Sequence, residues 1–509
     1  MTTYAKFSHS LLTFLFISLL FFTFCSKRPD QPEQVIIAQV ADRAISLDEF
    51  IKRSEYTIRP PYARGDHYIH KKIVLNSIIA EKLMAIEGGE DNELAARPEF
   101  QRYIQGRREQ AMRKWLFHNE GTKKIKLSDA QVANAYRWAG RTYDVAYFTV
   151  ATKDQADSVS ALFNDPSVSF ADVFSDIGGE GELPTREVKW QREGSDAIMD
   201  ALYSDSLRIG QVIGPVKVEE NVYTAIKILG WTESVAISEE QIRLRLNDVK
   251  ERLARTNALK IYTEFVQDVM RGKEVEFDER TFYKVVDIVK PFYVISEEDK
   301  RATLNAQFWQ EEDTTRINYE AMANDFEDIK DWPMLTIEGE TWTVERLRNE
   351  IGRHPLVFRN RNLTDQNFAK NFMLAVVDLI RDTYLTEEAY KRGYDKVNVI
   401  EQYTNMFRDQ ALALYHQQDY LRSQGCELNF NKDYMKIIDD YLNSYVDSLQ
   451  AKYSDRIFID TDILENVELT RIDMFVLEKN VPYPTAVPNF PILTTDNRLD
   501  YGQLMQKQD

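Results

Sequence analysis

The sequence predicts a protein of the α+β class that is largely helical. One stretch in the first half combines strands with short helices over about ninety residues, a common size for a single domain. Long helical patterns flank this stretch, and the second half repeats features of the first. With 509 residues, 43% of them apolar and 29% charged, the chain has the length for about two to four globular domains.

The first 25 residues are typical of an export signal. Residues 11–24 carry no charge and are too few to span a bilayer comfortably. Cys25 follows directly and opens a polar tether at 26–34, which resembles a bacterial lipoprotein signal, although Phe24 stands where a small residue is usual. We therefore expect export to the periplasmic face of the cell envelope, with a lipid anchor on Cys25 that holds the protein at the outer membrane.

Charge and cysteine content narrow the possible partners. With 64 basic and 82 acidic residues the formal net charge is −18, and an acidic chain does not attract nucleic acid through its overall field. No nucleic-acid partner is therefore expected. The only other cysteine is Cys426, so lipidation of Cys25 leaves no intramolecular disulfide.

Residues 35–140 predict the first part of a helical scaffold. Val35–Phe50 has the pattern of a strand, a turn, a second strand and a helix start, with Ser46 and Glu49 spaced as a capping box. Pro60-Pro61 then breaks the chain. Further helices are predicted at 73–87, 99–118 and 128–138.

Residues 141–232 form the predicted α+β unit. Its elements are an alternating strand at Tyr143–Val150, an amphipathic helix at 156–163, a short helix and Gly-rich turn at 170–184, a Gly-Pro turn at Gly214-Pro215 and a closing strand at Asn221–Leu229.

The order and spacing of these elements resemble a parvulin-type, PpiC-like peptidyl-prolyl isomerase domain. The matching residues are Phe174-Ser175-Asp176, Gly178-Gly179, Leu202, Leu207, Gly210, Val212 and Gly214-Pro215-Val216. The resemblance implies a fold that binds proline-containing segments. On this basis the expected substrate-binding residues are Tyr147, Trp190, Leu202, Tyr203, Pro215 and Tyr223.

The reactive positions of that family are replaced in this chain. Its two histidines, on the first and last strands, correspond to Tyr147 and Thr224, and its Cys or Asp corresponds to Ile177. No histidine lies between Asn119 and Arg353. Because isomerisation must lower a barrier of about 18–20 kcal/mol, the resemblance implies a retained shape with weak or lost turnover, and no catalytic residue is assigned.

A closing helix and strand are predicted at 233–290. Ser238 and Gln241 are spaced as a capping box before a long amphipathic helix, and a short strand follows at 274–277. Residues 291–333 are acidic and weakly patterned, and we interpret them as a connector.

The second half contains an internal repeat of the scaffold. The matching pairs are Val40–Ser46 with Ile337–Thr343, Arg108–Ala111 with Arg408–Ala411, and Val266–Val269 with Val446–Leu449. The spacing between matched segments is nearly constant over the first two pairs and then shortens sharply. The second copy, at 334–470, therefore lacks a counterpart of the α+β unit.

The scaffold itself resembles extracytoplasmic chaperones of the SurA and PrsA type, through Val40–Phe50 and Ile78–Glu87. This resemblance implies two scaffold copies with a parvulin-like domain inserted in the first. Unfolded or partly folded exported proteins would be its partners. The tail at 471–509 carries four prolines and is expected to be irregular.

No cofactor or metal is expected. His67 and His70 stand three residues apart beside Asp66, but two ligands do not make a metal site, and a polar loop is the favoured interpretation. The sequence also shows no Gly-rich phosphate loop and no nucleophile elbow.

A folding chaperone of the envelope is thus the favoured function, and two alternatives stay open. The first is an active peptidyl-prolyl isomerase that uses Tyr147 and Thr224. The second is a structural envelope lipoprotein with one fixed partner, which a pull-down from envelope extracts would show as a single stoichiometric protein rather than many clients.

Mass spectrometry of the mature N-terminus tests the anchor. We expect a mature chain that begins at Cys25 and carries several acyl chains, since one chain at about 0.8 kcal/mol per buried CH₂ binds a membrane only marginally. Cys25→Ser should release the protein from membranes. A mature protein with an unmodified Cys25 thiol would contradict the assignment.

Overall fold

The computed structural model describes residues 31–219, 222–294, 326–360, 362–469 and 482–505. The predicted export signal with Cys25, much of the predicted connector and the start of the predicted tail lie outside these residues. Residue contacts divide the chain into unit 1 (Met1–Trp115, Val269–Leu477 and Thr485–Asp509) and unit 2 (Leu116–Asp268 and Glu478–Pro484). The protein is of the α+β class and mainly helical, as predicted.

The helices and strands follow one another in chain order. Up to residue 150 they are β1 (Ile36–Val40), β2 (Arg43–Ser46), α1 (Leu47–Glu55), α2 (Tyr68–Gly88), α3 (Glu93–Ala96), α4 (Pro98–Glu120), α5 (Asp129–Ala139) and β3 (Arg141–Val150). Up to residue 293 they are α6 (Lys153–Leu162), α7 (Phe170–Asp176), β4 (Thr185–Lys189), α8 (Asp196–Tyr203), β5 (Val212–Glu219), β6 (Val222–Glu233), α9 (Glu239–Met270), β7 (Val275–Phe277) and α10 (Glu279–Tyr293). The remainder are β8 (Pro333–Ile337), β9 (Glu340–Thr343), α11 (Val344–Arg353), α12 (Phe368–Lys391), α13 (Asn398–Ser423), α14 (Phe430–Ile437), α15 (Asn443–Lys452), β10 (Ile457–Ile459), α16 (Thr461–Asn466) and β11 (Gln503–Leu504).

Unit 1 contains two small sheets that are each completed by a distant part of the chain. The first has the order β11-β10-β1-β2, and the second has the order β7-β8-β9. In the first, β1 pairs antiparallel with β10, so that Gln39 lies opposite Phe458. In the second, β8 pairs antiparallel with β7, so that Glu276 lies opposite Thr336. The first hairpin therefore takes its third strand from the other half of the sequence, whereas the second takes it from β7, which precedes it in the same half.

The two hairpins share local details. Their turns each hold a non-glycine residue in the left-handed region, Ala41 at φ 54° and Glu338 at φ 49°. Each second strand ends at a hydroxyl that caps the next helix, because Ser46 accepts from Glu49 N at 3.0 Å and Thr343 accepts from Arg346 N at 3.2 Å. The predicted capping box at Ser46 is only half formed.

The reason for the half-formed box is a buried charge cluster, made of Glu49, Arg53, Glu81, Lys82 and Asp409. The Glu49 carboxylate lies 2.9 Å from Lys82 Nζ. The Asp409 carboxylate of α13 also lies 2.9 Å from Lys82 Nζ. Arg53 donates two hydrogen bonds to Glu81, both at 2.8 Å. Burial raises the pKa of Glu49, whereas the charges of Asp409 and Glu49 raise the pKa of Lys82 against the effect of its own burial. The cluster joins α1 and α2 to α13.

A second polar contact joins α4 to α11 and α12 within unit 1. His354 Nε2 hydrogen-bonds to the Glu109 carboxylate, and Arg113 donates to the Thr386 hydroxyl at 2.7 Å. Burial lowers the pKa of His354. Helices from the two halves of the sequence therefore contact each other, as strands β1 and β10 do.

Unit 2 is built on an antiparallel sheet of order β4-β3-β6-β5. Helices α6 and α7 cover one face, where Phe148 lies 4.9 Å from Phe170 between ring centroids. Helices α5, α8 and α9 cover part of the other face, around Tyr143 and Val145. The predicted strand at 143–150 lies within β3, the described part of the predicted strand at 221–229 lies within β6, and the helix predicted after Ser238 is α9.

One local prediction in this region was wrong. The Gly-Pro pair at 214–215 lies inside strand β5 and not in a turn, because the pairing of β5 with β6 is interrupted between Ile213 and Val216 and leaves room for an irregular residue pair. Strand β4 was not predicted, and neither was helix α10, whose last three residues reach the predicted connector.

Replacement of Lys82 tests the buried charge cluster. Lys82→Met removes the buried cation that Glu49 and Asp409 share and leaves Asp409 with Arg43 alone, so the free energy of local unfolding should fall by about 3–5 kcal/mol. Hydrogen exchange of the α2 amides measures it.

Lys52→Met is the matched control, since Lys52 forms an exposed pair with Asp48 at 2.7 Å. It should cost less than about 1 kcal/mol. Equal protection of α2 in both variants would show that the cluster does not hold these helices together.

Candidate functional site

The candidate site is an open groove in unit 2, on the sheet face that carries α8 and α9. Its volume is about 850 Å³, which falls within the range of about 300–1,000 Å³ that is usual for ligand sites. The groove is lined by Tyr147, Thr149, Arg186, Glu193, Gly194, Ser195, Asp196, Ala197, Ile198, Val218, Glu219, Val222, Thr224, Leu259 and Pro482.

Strands β3 and β6 form the floor of the groove. Thr149 lies directly opposite Thr224, and Tyr147 precedes Thr149 by two residues on the same strand. Because side chains alternate along a strand and paired residues point to the same side, these three share one face. Tyr147 and Thr224, the two positions that the sequence resemblance matched to histidines, are therefore neighbours on the groove floor.

The start of α8 forms one wall. The Ser195 hydroxyl caps this helix by accepting from Ile198 N at 3.3 Å. Asp196 binds Arg252 of α9 at 3.1 Å, and Arg252 also donates to the backbone oxygen of Glu193 at 3.1 Å. Burial lowers the pKa of Arg252, while Asp196 opposes this effect. These contacts fix the wall to α9.

Arg186 of β4 supplies a cation at the edge of the floor. Its guanidinium group lies 2.9 Å from the Glu193 carboxylate and 5.4 Å from the centre of the Tyr147 ring. The contact with Glu193 positions the guanidinium group, and the guanidinium group holds the Tyr147 ring in place, since a guanidinium near an aromatic face is attracted to it. Sequence reasoning missed this residue because it missed β4, although the alternation in Thr185–Lys189 is a strand signal.

Three of the predicted binding residues lie in the core instead of the groove. The exposed fractions of Trp190, Leu202 and Tyr203 are 6%, 0% and 3%. The Tyr203 hydroxyl donates to the backbone oxygens of Arg141 and Val188, both at 2.9 Å, and its ring packs edge-on against Trp190. These residues support the wall and are not available to a ligand.

Three further predicted residues are also placed away from the groove lining. Tyr223 packs with Phe174 against the opposite face of the sheet. Ile177 directly follows α7, which covers that same opposite face, so it is not brought together with Tyr147 and Thr224. Pro215 lies within β5 and does not line the groove. Of the predicted set, only Tyr147 and Thr224 contribute to its lining.

The groove offers hydrogen bonds, apolar contacts and carboxylates. Its polar groups are the hydroxyls of Tyr147, Thr149, Ser195 and Thr224 together with charged side chains, which include the carboxylates of Glu193, Asp196 and Glu219. None of the described lining residues is a histidine or a cysteine. Without such a residue beside a hydroxyl, the arrangement suits binding better than covalent chemistry.

Neither a metal site nor a membrane-spanning helix is found in the described part of the chain. His67 and His70 lie 5.8 Å apart between ring centroids, and the Asp66 carboxylate is 4.0 Å from His67. No group of three or more potential ligands comes together among the described residues. No described helix combines the length and the apolar character needed to cross a bilayer.

Comparisons with protein-family models, with curated proteins and with solved structures found no match to this chain.

Proposed function

We propose that the protein is an envelope folding chaperone of the parvulin-containing SurA and PrsA type, which binds proline-containing segments of unfolded exported proteins with little or no isomerisation. The observation that carries this proposal is the groove floor. Tyr147 and Thr224 lie together there beneath an open space of about 850 Å³, without a histidine or cysteine in the described lining. The lipid anchor on Cys25 would hold the chaperone at the outer membrane.

The proposal extends to the scaffold. The proposed arrangement has one scaffold copy at residues 35–140 and 233–290 and a second copy at 334–470. The inserted domain with the groove is at 141–232. Support comes from the two hairpins with matching left-handed turns and capped helices. Further support comes from the strands that complete them, since β7 and β10 are each followed by a helix capped by an aspartate, Asp278 and Asp460.

The groove can hold an extended chain for physical reasons. Proline carries no backbone N–H and an apolar ring, so a surface that combines Leu259 and Val222 with hydroxyls can bury the ring and still hydrogen-bond the flanking peptide groups. Each 100 Å² of apolar surface buried in this way contributes about 2.5 kcal/mol before ordering costs. Weak, reversible binding is what a chaperone needs to release its client.

An active isomerase is the second candidate, and the hydroxyls of Tyr147 and Thr224 favour it, since they could hydrogen-bond the peptide group during rotation. Two assays run in parallel separate the candidates. The chaperone proposal predicts suppression of client aggregation at near-stoichiometric amounts and no measurable acceleration of prolyl isomerisation in a tetrapeptide. Robust turnover that is lost in Tyr147→Ala would instead establish the isomerase.

Obstruction of the groove tests where clients bind. Thr149 is exposed on the floor, so Thr149→Arg should fill the space and weaken the binding of a proline-containing peptide about tenfold, or about 1.4 kcal/mol. Fluorescence anisotropy with a labelled peptide measures the change.

Thr232→Arg is the matched control, because Thr232 is also an exposed strand residue of this sheet but does not line the groove. It should leave peptide affinity unchanged. Equal affinity of the two variants would remove the groove as the client site.

A further inference from the structure

A residue from the C-terminal part of the chain already lines the groove. Pro482 lies beside the groove together with Tyr147, Thr224 and Leu259, although all other lining residues come from the continuous stretch between 147 and 259. Residues 482–484 group with unit 2, whereas Thr485 and the residues after it group with unit 1. The proline is thus part of unit 2 through its contacts and not through its position in the sequence.

The next residue, Tyr483, packs against Tyr262, which together with Phe117 and Phe265 forms an aromatic cluster that we call the aromatic pocket. Tyr483 is 6% exposed and packs edge-on against Tyr262, with ring centroids 6.4 Å apart and an interplanar angle of 82°. Its hydroxyl lies 3.4 Å from that of Tyr262. Tyr262 in turn packs edge-on against Phe117 at 5.0 Å and lies 5.8 Å from Phe265.

The groove and the aromatic pocket are adjacent on α9. Leu259 lines the groove, and Tyr262 follows three residues later, which places both on one side of the helix. Pro482 and Tyr483 lie in a bend of the chain, and their side chains contact different surfaces, the groove and the aromatic pocket. A proline followed directly by a tyrosine can therefore reach the groove with one side chain and the pocket with the other.

We infer that Pro482-Tyr483 is an internal ligand of the groove, and that a client must displace it with a proline that is directly followed by a tyrosine. The inference rests on the proposed function of the groove and adds its regulation and its preferred sequence. Because the internal ligand is tethered, its effective concentration is on the order of millimolar. Only clients that also contact the aromatic pocket compete well with Pro482-Tyr483. In the absence of a client, the internal ligand protects the groove from non-specific binding.

The test uses the full chain and a fluorescent peptide, Val-Pro-Tyr-Pro-Thr, with the sequence of residues 481–485. Pro482→Ser combined with Tyr483→Ser should bind this probe at least about fivefold more tightly than the wild type, because the competing ligand is lost. Pro482→Ala alone should give part of that gain and keeps the buried tyrosine, so it covers the case in which the double variant folds poorly. Pro484→Ala is the control, since Pro484 is exposed and does not line the groove.

The outcomes separate this inference from the proposed function. Equal probe affinity in the wild type, the double variant and Pro482→Ala would overturn the internal ligand, provided that Thr149→Arg still weakens binding. A probe with alanine in place of tyrosine should bind the double variant about tenfold more weakly, and equal binding of the two probes would refute the role of the aromatic pocket. If Thr149→Arg has no effect on probe binding in the double variant, the groove is not the peptide site and the proposed function fails as well.

Discussion

The exchange of strands between the two ends of the chain is the constraint on which unit 1 depends. Strands β1 and β2 alone would be an isolated hairpin, which is marginally stable in water. Pairing with β10 adds a third strand, and the buried Lys82 between Glu49 and Asp409 ties the same two chain regions together through their helices. The second sheet is completed by β7, which lies closer in sequence to its partner. Formation of the first sheet therefore requires residues that are far apart in sequence, which lets a whole domain be inserted between them without loss of pairing.

The groove shows how a sheet can keep a binding surface without reactive groups. Its floor is set by backbone pairing, which places Thr149 opposite Thr224 whatever the side chains are. Its wall is set by Arg252, whose contacts with Asp196 and with backbone oxygens hold the start of α8. Neither feature needs a histidine. A change of floor residues can thus alter the chemistry of the groove while its shape is retained.

Local sequence patterns predicted β3, β6 and the helix cap at Ser238 in unit 2, because alternation and Ser-x-x-Gln spacing act within a few residues. They failed where tertiary contacts decide. Trp190 and Tyr203 were assigned to a binding face as aromatics near the site, yet packing against the sheet buries them. Glu49 was assigned to a helix cap, but the buried Lys82 attracts its carboxylate more strongly. The pairing of β1 with β10 and the approach of Pro482 to the groove join residues more than half a chain apart, and no local pattern encodes them.

A disulfide between paired strands tests the exchange most directly. Gln39 and Phe458 are register partners, and antiparallel partners bring Cα atoms to about 4.5–5.5 Å, a separation that a disulfide can bridge. In a protein with Cys426→Ser, Gln39→Cys with Phe458→Cys should form an intramolecular disulfide in the monomer under mild oxidation. The pair Gln39→Cys with Glu276→Cys, on strands of different sheets, should not. Thiols that stay free in the first variant, or a disulfide that forms only between two molecules, would contradict the exchange within one chain.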